Sequence, residues 1–320
     1  MRNRIRITGA VALATVSAMT LAACGSGGSS AGGDTVRLAT GVDPSYAAVY
    51  VAEDQGFFQK QGVNVKVSNL EGGPAMAQAV IAGQADMGTQ SDATTVTQMA
   101  SDPNLMALRD FQHSSTYIKV VWGPKVRAAS DIKKIATLPG IMTLATVRYL
   151  ESQNIDPKSV EQVSATPPDV PVMLKRGDVD ATVIYEPWAT RAASEAQGKI
   201  VGTIGDFGVS YAQWLIADGK WLQGHEKDAA KIAAALDEAN KFMRENPDKT
   251  PQIVAKAIKT PPEQTTQIMK DLVLESRDIN AQMLATEKKT AQFFVDNKTL
   301  KAMPNLDKQI LLDWSATHKP

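Results

Sequence analysis

The sequence predicts an α/β protein made of two successive α/β units and a helical C-terminal part. Short apolar stretches typical of strands alternate with helical patterns from residue 36 to about residue 92, and the same alternation resumes between residues 117 and 188. From residue 227 onward helical spacing prevails, interrupted by Asn-Pro at 246–247 and Pro-Pro at 261–262. Because alternation of this kind is typical of sheets covered by helices, we expect parallel strands in each unit.

The first unit begins with a short strand over 36–39. The segment 41–45 (GVDPS) breaks this strand, and Asp43 or Ser45 is suited to cap a helix over about 46–55. Valines at 63, 65 and 67 alternate with polar residues, which indicates a second strand. A turn at 71–74 (EGGP) precedes a helix over 75–82. Residues 85–88 then form a third strand, followed by a loop at 89–92.

The second unit contains three predicted strands and one clear helix. Residues 117–122 (YIKVVW) and 135–138 read as strands, and Pro-Gly at 139–140 introduces a helix over about 141–153. Residues 179–185 (VDATVIY) form a buried strand that leads into Glu-Pro-Trp at 186–188. Beyond the N-terminal region there is no internal repeat or low-complexity segment.

The N-terminal residues 1–23 have the features of a signal peptide. Arg2, Arg4 and Arg6 precede an apolar stretch over 11–23 that is shorter than the roughly 20 residues of a membrane-spanning helix. The ending LAAC at 21–24 resembles the lipobox of bacterial lipoproteins, which implies that Cys24 carries the lipid and begins the mature chain. Residues 24–33 then form a lipidated flexible tether. An ordinary secreted protein and a short membrane anchor are the alternatives, and neither explains why Cys24 is the sole cysteine.

The composition limits the classes of partner and cofactor. The chain has 34 basic and 34 acidic residues, and residues 1–23 contain three arginines and no acidic residue, so the remainder carries a formal net charge of −3. A mildly acidic chain has no electrostatic footprint for nucleic acid. His113, His225 and His318 lie far apart in the sequence, without metal-ligand spacing around them. We therefore expect neither a metal nor a cofactor.

Four segments resemble the substrate-binding proteins of bacterial ABC importers, in the branch that includes nitrate, alkanesulfonate, taurine and thiamine-precursor binders. They occur in the order and spacing of that family between residues 36 and 243. The segments are 50–65 (YVAEDQGFFQKQGVNV), 71–73 (EGG) with 81–88 (IAGQADMG), 174–181 (LKRGDVDA), and 185–188 (YEPW).

This resemblance implies a two-lobed periplasmic-binding-protein (type II) fold with a helical C-terminal extension. Lobe one would comprise 34–117 plus 218–320 and lobe two 118–217, with crossing strands at 118–122 and 214–217. A small-molecule ligand would bind between the lobes, beyond the carboxyl ends of the strands and near helix N-termini. The candidate ligand-binding residues are those that follow the predicted strands or lie on the return strand: Asp43, Ser45, Tyr46, Gly73, Pro74, Gln90, Ser91, Asp92, Met142, Thr143, Glu186, Trp188, Tyr211, Gln213 and Trp214.

The resemblance implies a monomeric extracytoplasmic lipoprotein on the outer face of the bacterial cytoplasmic membrane that delivers its ligand to an ABC permease. Relatives often have hydroxyl-rich residues where this chain has PGIMT at 139–143, and no Arg or Lys occurs among the candidate residues. This departure disfavours nitrate or a bare sulfonate and favours a larger, partly apolar ligand or one with a cationic or hydrogen-bond-donating end. Sulfonate-like, aromatic and pyrimidine-like compounds remain open.

Two other functions stay open from the sequence. An enzyme related to the thiamine-pyrimidine synthases of fungi would share the fold, but those enzymes carry a cysteine-rich iron motif and this chain has no cysteine after residue 24. No Gly-x-Ser-x-Gly motif, P-loop or dinucleotide fingerprint is present either, so we expect no catalytic residues. A lipoprotein that senses a ligand without transporting it is the second alternative.

Overall fold

The computed structural model describes residues 35–320, whose strands form two separate sheets. Cys24, the predicted signal peptide and the tether lie outside the described residues. The strands are β1 (Val36–Gly41), β2 (Val65–Leu70), β3 (Met87–Ser91), β4 (Leu105–Ser114), β5 (Ile118–Trp122), β6 (Lys134–Thr137), β7 (Glu161–Ser164), β8 (Ala181–Tyr185), β9 (Lys199–Thr203), β10 (Tyr211–Asp218) and β11 (Arg277–Asp278).

Helices connect and cover these strands. They are α1 (Ala47–Asp54), α2 (Phe57–Lys60), α3 (Ala75–Ile81), α4 (Asp92–Met99), α5 (Ile141–Ser152), α6 (Val170–Arg176), α7 (Trp188–Glu195), α8 (Gly219–Leu222), α9 (Glu226–Glu245), α10 (Thr250–Ile258), α11 (Pro262–Met269), α12 (Ala281–Asp296), α13 (Leu306–Gln309) and α14 (Trp314–Thr317). Within residues 35–320, no helix combines the length and the apolar character that crossing a membrane requires.

The first sheet has the order β11-β4-β10-β3-β1-β2 and is mixed. β1 pairs in parallel with β2 and β3, as the strand and helix alternation predicts. β10 pairs antiparallel with β3 and β4. The expectation of parallel strands throughout is therefore wrong, because β10 enters this sheet from the opposite direction after the chain has built the second one. The pairing of β10 with β3 also extends β3 to Ser91, so that residues 89–91 are strand and not loop.

The second sheet has the order β7-β6-β8-β5-β9. β6 pairs in parallel with β7 and β8, while β5 pairs antiparallel with β8 and β9. The predicted strands 117–122, 135–138 and 179–185 correspond to β5, β6 and β8. The sequence analysis missed β4, β7 and β9, of which β7 and β9 are short and largely solvent-facing.

The chain crosses between the sheets twice, at 115–117 and at 204–210, and the two crossings lie side by side. Ser114 Oγ accepts a hydrogen bond from Tyr117 N at 2.9 Å and donates one to the carbonyl oxygen of Asp271 at 2.6 Å. Gly205 N of the returning segment donates to the carbonyl oxygen of Ser115 at 2.8 Å. The sequence analysis placed the crossings within 118–122 and 214–217 and assigned 118–217 to lobe two. The pairing of β10 puts 211–217 in the first sheet instead.

Each sheet has its own hydrophobic core, and the C-terminal part contacts both. The first core joins the strands of the first sheet to alanines of α1 and α9, which allow these two helices to pack closely. The second core surrounds β5, β6 and β8 and includes Phe293 and Phe294 of α12. α12 packs against α4 of the first lobe and α5 of the second. The helical extension predicted from residue 227 onward therefore braces both lobes.

Two buried carboxyl groups lie where α12 meets α4. Asp92 accepts hydrogen bonds from Ala93 N at 2.6 Å and Ala212 N at 2.9 Å, whereas Glu287 Oε2 has no hydrogen-bond partner among the described residues. Burial raises the pKa of Glu287 well above its usual range, and the neighbouring Asp92 carboxyl raises it further. The folded protein therefore holds a proton on Glu287 at pH values where the unfolded chain has lost it.

Lys119 carries two ion pairs beside the first crossing. Its Nζ lies 3.0 Å from Glu186 Oε1 and 2.8 Å from Asp271 Oδ2, so it connects β5 to the carboxyl end of β8 and to the segment after α11. Burial lowers the pKa of Lys119, but the hydrogen bonds to Asp271 and Glu186 outweigh it, and the pKa lies above its ordinary value. Glu186 is only 1% exposed and receives two further hydrogen bonds from Thr190 N and Oγ1.

We predict that Glu287→Gln stabilises the protein increasingly as the pH rises. Because the pKa of Glu287 is raised in the folded state, the free energy of unfolding of the wild type falls as the pH increases above the unfolded-state pKa of about 4.3. Glutamine does not titrate, so the variant lacks this fall in stability. Thermal unfolding at several pH values from about 5 to 8 measures the difference. Glu263→Gln, on the exposed first turn of α11, is the control and should show no such trend. A difference between Glu287→Gln and wild type that is constant with pH would contradict this assignment.

We also predict that Lys119→Met destabilises the protein by about 3–5 kcal/mol, because it leaves the Glu186 carboxylate buried without its cation. The double variant Lys119→Met/Glu186→Gln should recover most of that loss. Lys134 of the same sheet pairs with Glu161 at 3.0 Å on the exposed surface, so Lys134→Met is a matched control that should cost at most about 1 kcal/mol. Urea denaturation gives all three values. Equal losses for Lys119→Met and Lys134→Met would refute the role of the buried pair.

Candidate functional site

A cavity of about 600 Å³ lies between the two lobes, next to the crossings. We call it the central cavity. The first lobe and the crossings contribute Gly41, Val42, Asp43, Ser45, Tyr46, Leu70, Glu71, Gly72, Gly73, Met76, Gln90, Ser91, Thr94, Tyr117, Tyr211 and Gln213. The second lobe contributes Ile118, Leu138, Pro139, Ile141, Met142, Ser164, Ala165, Thr166, Pro167, Pro168, Tyr185 and Trp188. Most of these residues follow β1, β2, β3, β6, β7 and β8, at the carboxyl edges of the two sheets, which is where open α/β sheets bind ligands.

Asp43 is a half-buried acidic group of the central cavity. Its side chain caps the short 3-10 turn Pro44–Tyr46, which precedes α1, as the sequence predicts. Oδ1 accepts hydrogen bonds from Ser45 N at 2.8 Å, Ser45 Oγ at 2.6 Å and the Tyr117 hydroxyl at 2.8 Å. Burial raises the pKa of Asp43, and the hydrogen bonds from Ser45 and Tyr117 oppose that rise. Oδ2 accepts none of these bonds.

Two glycines allow the close contacts that shape the cavity. A Cβ at Gly41 would collide with the ring of Tyr46, and the Tyr50 hydroxyl donates to the Gly41 carbonyl from the same side. Gly140 has φ +78° and lies against Thr94, so that α5 of the second lobe approaches α4 of the first without a side chain between them. A side chain at Gly140 would be disfavoured both by this contact and by its left-handed backbone.

Gln90 and Ser91 shape the first-lobe wall. Gln90 Nε2 donates to the Gly73 carbonyl, and Gln90 Oε1 accepts from Ala77 N of α3 at 3.3 Å. The side chain thus fixes the loop before α3. Ser91 Oγ donates to Thr94 Oγ1 at 2.9 Å within the first turn of α4. The side chains of Gln90 and Ser91 therefore form hydrogen bonds within the first lobe.

Aromatic rings form much of the remaining wall. The ring of Tyr117 lies 5.8 Å from that of Tyr211 and 6.4 Å, nearly parallel, from that of Tyr185. Trp188 begins α7, and the guanidinium of Arg191 lies 4.7 Å from its ring centroid. Burial raises the pKa of Tyr117 and Tyr211 well above their usual range, and the Asp43 carboxylate adds to the shift. These phenols therefore remain protonated hydrogen-bond donors.

The structure places ten of the predicted ligand-binding residues around the central cavity. They are Asp43, Ser45, Tyr46, Gly73, Gln90, Ser91, Met142, Trp188, Tyr211 and Gln213. These residues come from distant parts of the chain, and the rule that ligands bind beyond the carboxyl ends of strands groups them correctly.

Five predicted residues do not line this cavity, each for a structural reason. Pro74 is the N-cap residue of α3 and is absent from the cavity lining, and Thr143 Oγ1 donates to the Leu138 carbonyl at 2.9 Å, inside its own turn. Glu186 is occupied by Lys119 and Thr190. Asp92 and Trp214 line a different cavity of about 320 Å³ behind the crossings, which also contacts Arg148, Arg277 and Glu287. Alternation along β10 turns Trp214 away from its neighbour Gln213, whereas Asp92 begins α4 and accepts hydrogen bonds from Ala93 N and Ala212 N.

Sequence reasoning missed several residues of the central cavity. Tyr117 and Tyr185 were read as strand residues, although each lies at a strand end where the chain leaves the sheet. The segment Ser164–Pro168 follows β7, which was not predicted. Recognition of β7 would have brought this loop into the site by the same carboxyl-edge rule.

No basic residue lines the central cavity within residues 35–320, whereas Asp43 and Glu71 do. Arg109 lies in β4 and pairs with Asp237 at 2.8 Å. Arg148 pairs with Glu151 at 2.8 Å and borders the rear cavity instead. Residues 35–320 contain no cluster of three His, Cys, Asp or Glu side chains with the geometry to bind a metal.

Comparisons with known proteins match this architecture. The aliphatic sulfonates-binding protein of Escherichia coli strain K12 is 22% identical over 88% of this chain and 89% of its own length. The crystal structure of the alkanesulfonate-binding protein SsuA of Xanthomonas axonopodis pv. citri, bound to MOPS, has a TM-score of 0.77 at 14% identity, covering 87% of this chain and 98% of that one. The periplasmic nitrate-binding protein NrtA of Synechocystis PCC 6803 has a TM-score of 0.69 at 16% identity, covering 86% of each chain.

These likenesses confirm the predicted two-lobed binding-protein fold and the resemblance to substrate-binding proteins of ABC importers. A family model described as NMT1/THI5 like matches residues 43–250, which include β2 to β10, both crossings and most of the first-lobe and second-lobe walls of the central cavity. The chain therefore belongs to the NMT1/THI5-like family.

Proposed function

We propose that this protein is an extracytoplasmic solute-binding lipoprotein that captures a small organic ligand between its two lobes and delivers it to an ABC importer. The observation that carries the proposal is the central cavity, whose walls come from both lobes at the point where the chain crosses between them. Its volume of about 600 Å³ suits a small organic molecule, and its rings and methionines suit a ligand with an aromatic or aliphatic body. Sulfonate-like, aromatic and pyrimidine-like compounds are the candidate ligands.

Ligand capture would proceed by closure of the lobes. A ligand that contacts both walls gains its full set of interactions only in the closed form, so its binding shifts the population toward closure. The two adjacent crossings at 115–117 and 204–210 are the segments about which the lobes would rotate. The membrane permease would recognise the closed, ligand-bound shape.

The proposed location is the outer face of the bacterial cytoplasmic membrane, with a lipid on Cys24. Two acyl chains on one cysteine anchor a protein stably, whereas a single chain binds only marginally. The Gly- and Ser-rich segment 24–33 would let the body reach the permease as a flexible tether. The protein would act as a monomer, since one chain contains both walls of the cavity.

We expect a thermal-shift screen of the purified protein against sulfonates, aromatic acids, pyrimidines and amines to identify a ligand. A compound present at 100 times its dissociation constant adds about 2.7 kcal/mol to the free energy of unfolding. Small-angle scattering with that compound should then show a smaller radius of gyration. Failure of every class in the screen would argue against solute capture, and a ligand that saturates the protein without compaction would argue against closure.

We expect Cys24→Ser to release the protein from the membrane fraction of the bacterial cell. The substitution removes the thiol that would carry the lipid and leaves the apolar stretch 11–23 intact. Ser26→Ala, two residues further along the tether, is the matched control and should leave the protein in the membrane. Fractionation and labelling with a radioactive fatty acid measure both. If Cys24→Ser loses the fatty-acid label but stays in the membrane fraction, the result would favour the alternative in which the apolar stretch 11–23 is not removed and acts as a membrane anchor.

A further inference from the structure

The hydrogen-bond network around Asp43 in the central cavity leaves acceptor atoms without a donor. The Tyr117 hydroxyl lies 2.8 Å from Asp43 Oδ1 and 2.6 Å from the Glu186 carbonyl oxygen, yet it has a single proton to give. Asp43 Oδ2 accepts no hydrogen bond from the described residues. A ligand that donates hydrogen bonds would make up this deficit, whereas a ligand with only acceptors would increase it.

The orientation of Gln213 adds another acceptor to the same network. Ser45 Oγ gives its only proton to Asp43 Oδ1, so it must accept from Gln213, which presents Nε2 to it at 2.8 Å. This orientation directs Oε1 of the Gln213 amide away from Ser45. Oε1 has no hydrogen-bond partner among the described residues, although Gln213 is only 3% exposed. Gln213 therefore also requires a donor that residues 35–320 do not supply.

In the first lobe, helix N-termini that could bind an anion have N–H groups already bonded to the chain's own side chains. Helix N-termini attract oxyanions through their free N–H groups. Here Asp43 Oδ1 accepts from Ser45 N before α1, Gln90 Oε1 accepts from Ala77 N in the first turn of α3, and Asp92 Oδ1 accepts from Ala93 N at the start of α4. The first-lobe wall thus offers oxygen atoms, and not N–H groups, to a ligand.

The walls around Asp43 suit a cation with an apolar body. The rings of Tyr46, Tyr117, Tyr185 and Tyr211 line the cavity, and aromatic faces attract cations. No Arg, Lys or His of the described chain lines the cavity, so no side-chain cation there would balance the charge of an anionic head group. Bringing a sulfonate beside the half-buried Asp43 carboxylate would add desolvation to charge repulsion.

We infer that the ligand of the central cavity carries a positively charged, hydrogen-bond-donating head group, of the amidinium or ammonium class, on an aromatic or aliphatic body. The head group donates to Asp43 Oδ2, and the tyrosine rings enclose the charge and the body. This inference rests on the proposed function and specifies its ligand. It separates this protein from the relatives whose names specify sulfonates and nitrate.

Four compounds that share a phenyl ring and differ only in head group test this inference: benzamidinium, benzamide, benzoate and benzenesulfonate. We expect isothermal titration of the purified protein to give benzamidinium a dissociation constant at least about 10-fold lower than that of the isosteric, neutral benzamide, which corresponds to about 1.4 kcal/mol. Neither anion should bind more tightly than benzamide. These four measurements use the wild-type protein, so they do not depend on the folding of any variant.

The variant Asp43→Asn tests whether the preference for benzamidinium over benzamide depends on the Asp43 carboxylate. Asparagine keeps Oδ1, and with it the hydrogen bonds from Ser45 and Tyr117, but removes the charge. We expect Asp43→Asn to abolish the preference for benzamidinium while changing the benzamide dissociation constant by less than about 3-fold. Asp54→Asn, which removes an exposed carboxylate at the end of α1, should leave the preference unchanged.

Two outcomes would overturn the inference. Tighter binding of benzoate or benzenesulfonate than of benzamidinium would show that the head group is anionic, and solute capture itself would stand. Absence of binding by all four compounds would reject the assignment of an amidinium on a phenyl ring. The broader thermal-shift screen then decides the proposed function separately, because a hit without a cationic nitrogen refutes only the ligand class.

Discussion

The hydroxyl of Tyr117 is the contact on which the arrangement of the site depends. It lies on the first crossing between the sheets and reaches Asp43 of the first lobe at 2.8 Å and the Glu186 carbonyl of the second at 2.6 Å. The backbone of the same residue is held by Ser114, which is itself bonded to the segment after α11. One buried residue thus joins the crossing, both walls of the cavity and the C-terminal part.

The side chains around the central cavity, and not the shared fold, determine which ligand this chain can bind. A TM-score of 0.77 at 14% identity means that the backbone is retained while most side chains differ. The side chains decide what binds, since fold and ligand are separable properties. Here Lys119, the cation beside the first crossing, is already paired with Glu186 and Asp271, while Asp43 Oδ2 and Gln213 Oε1 accept no hydrogen bond from residues 35–320. The geometry therefore supports capture of a solute whose chemistry complements acceptors and aromatic rings.

Much of the fold and part of the site were predictable from local patterns. Strands β1, β3, β5, β6 and β8 and the long helices α5 and α9 follow from hydrophobic periodicity and from glycine and proline positions. Asp43 was expected as a cap and is one. The carboxyl-edge rule brought ten residues together around the cavity, but it failed for Trp214, because adjacent strand residues point to opposite faces, and for Asp92, which begins α4 and bonds to Ala93 N and Ala212 N. Strand β7 was missed because its residues are mostly exposed and carry little periodic signal.

The sequence by itself determined the α/β class, the order of the elements, the helical C-terminal part and the absence of basic residues after the predicted strands. Each of these depends on interactions between residues that are near one another in the chain. The tertiary structure alone decided that β10 returns antiparallel into the first sheet, that Glu186 is taken by Lys119, and that Tyr117 and Gln213 meet the Asp43 and Ser45 network. These facts depend on contacts between residues many positions apart. Local propensity does not encode them, because it reflects only residues that are near one another in the chain.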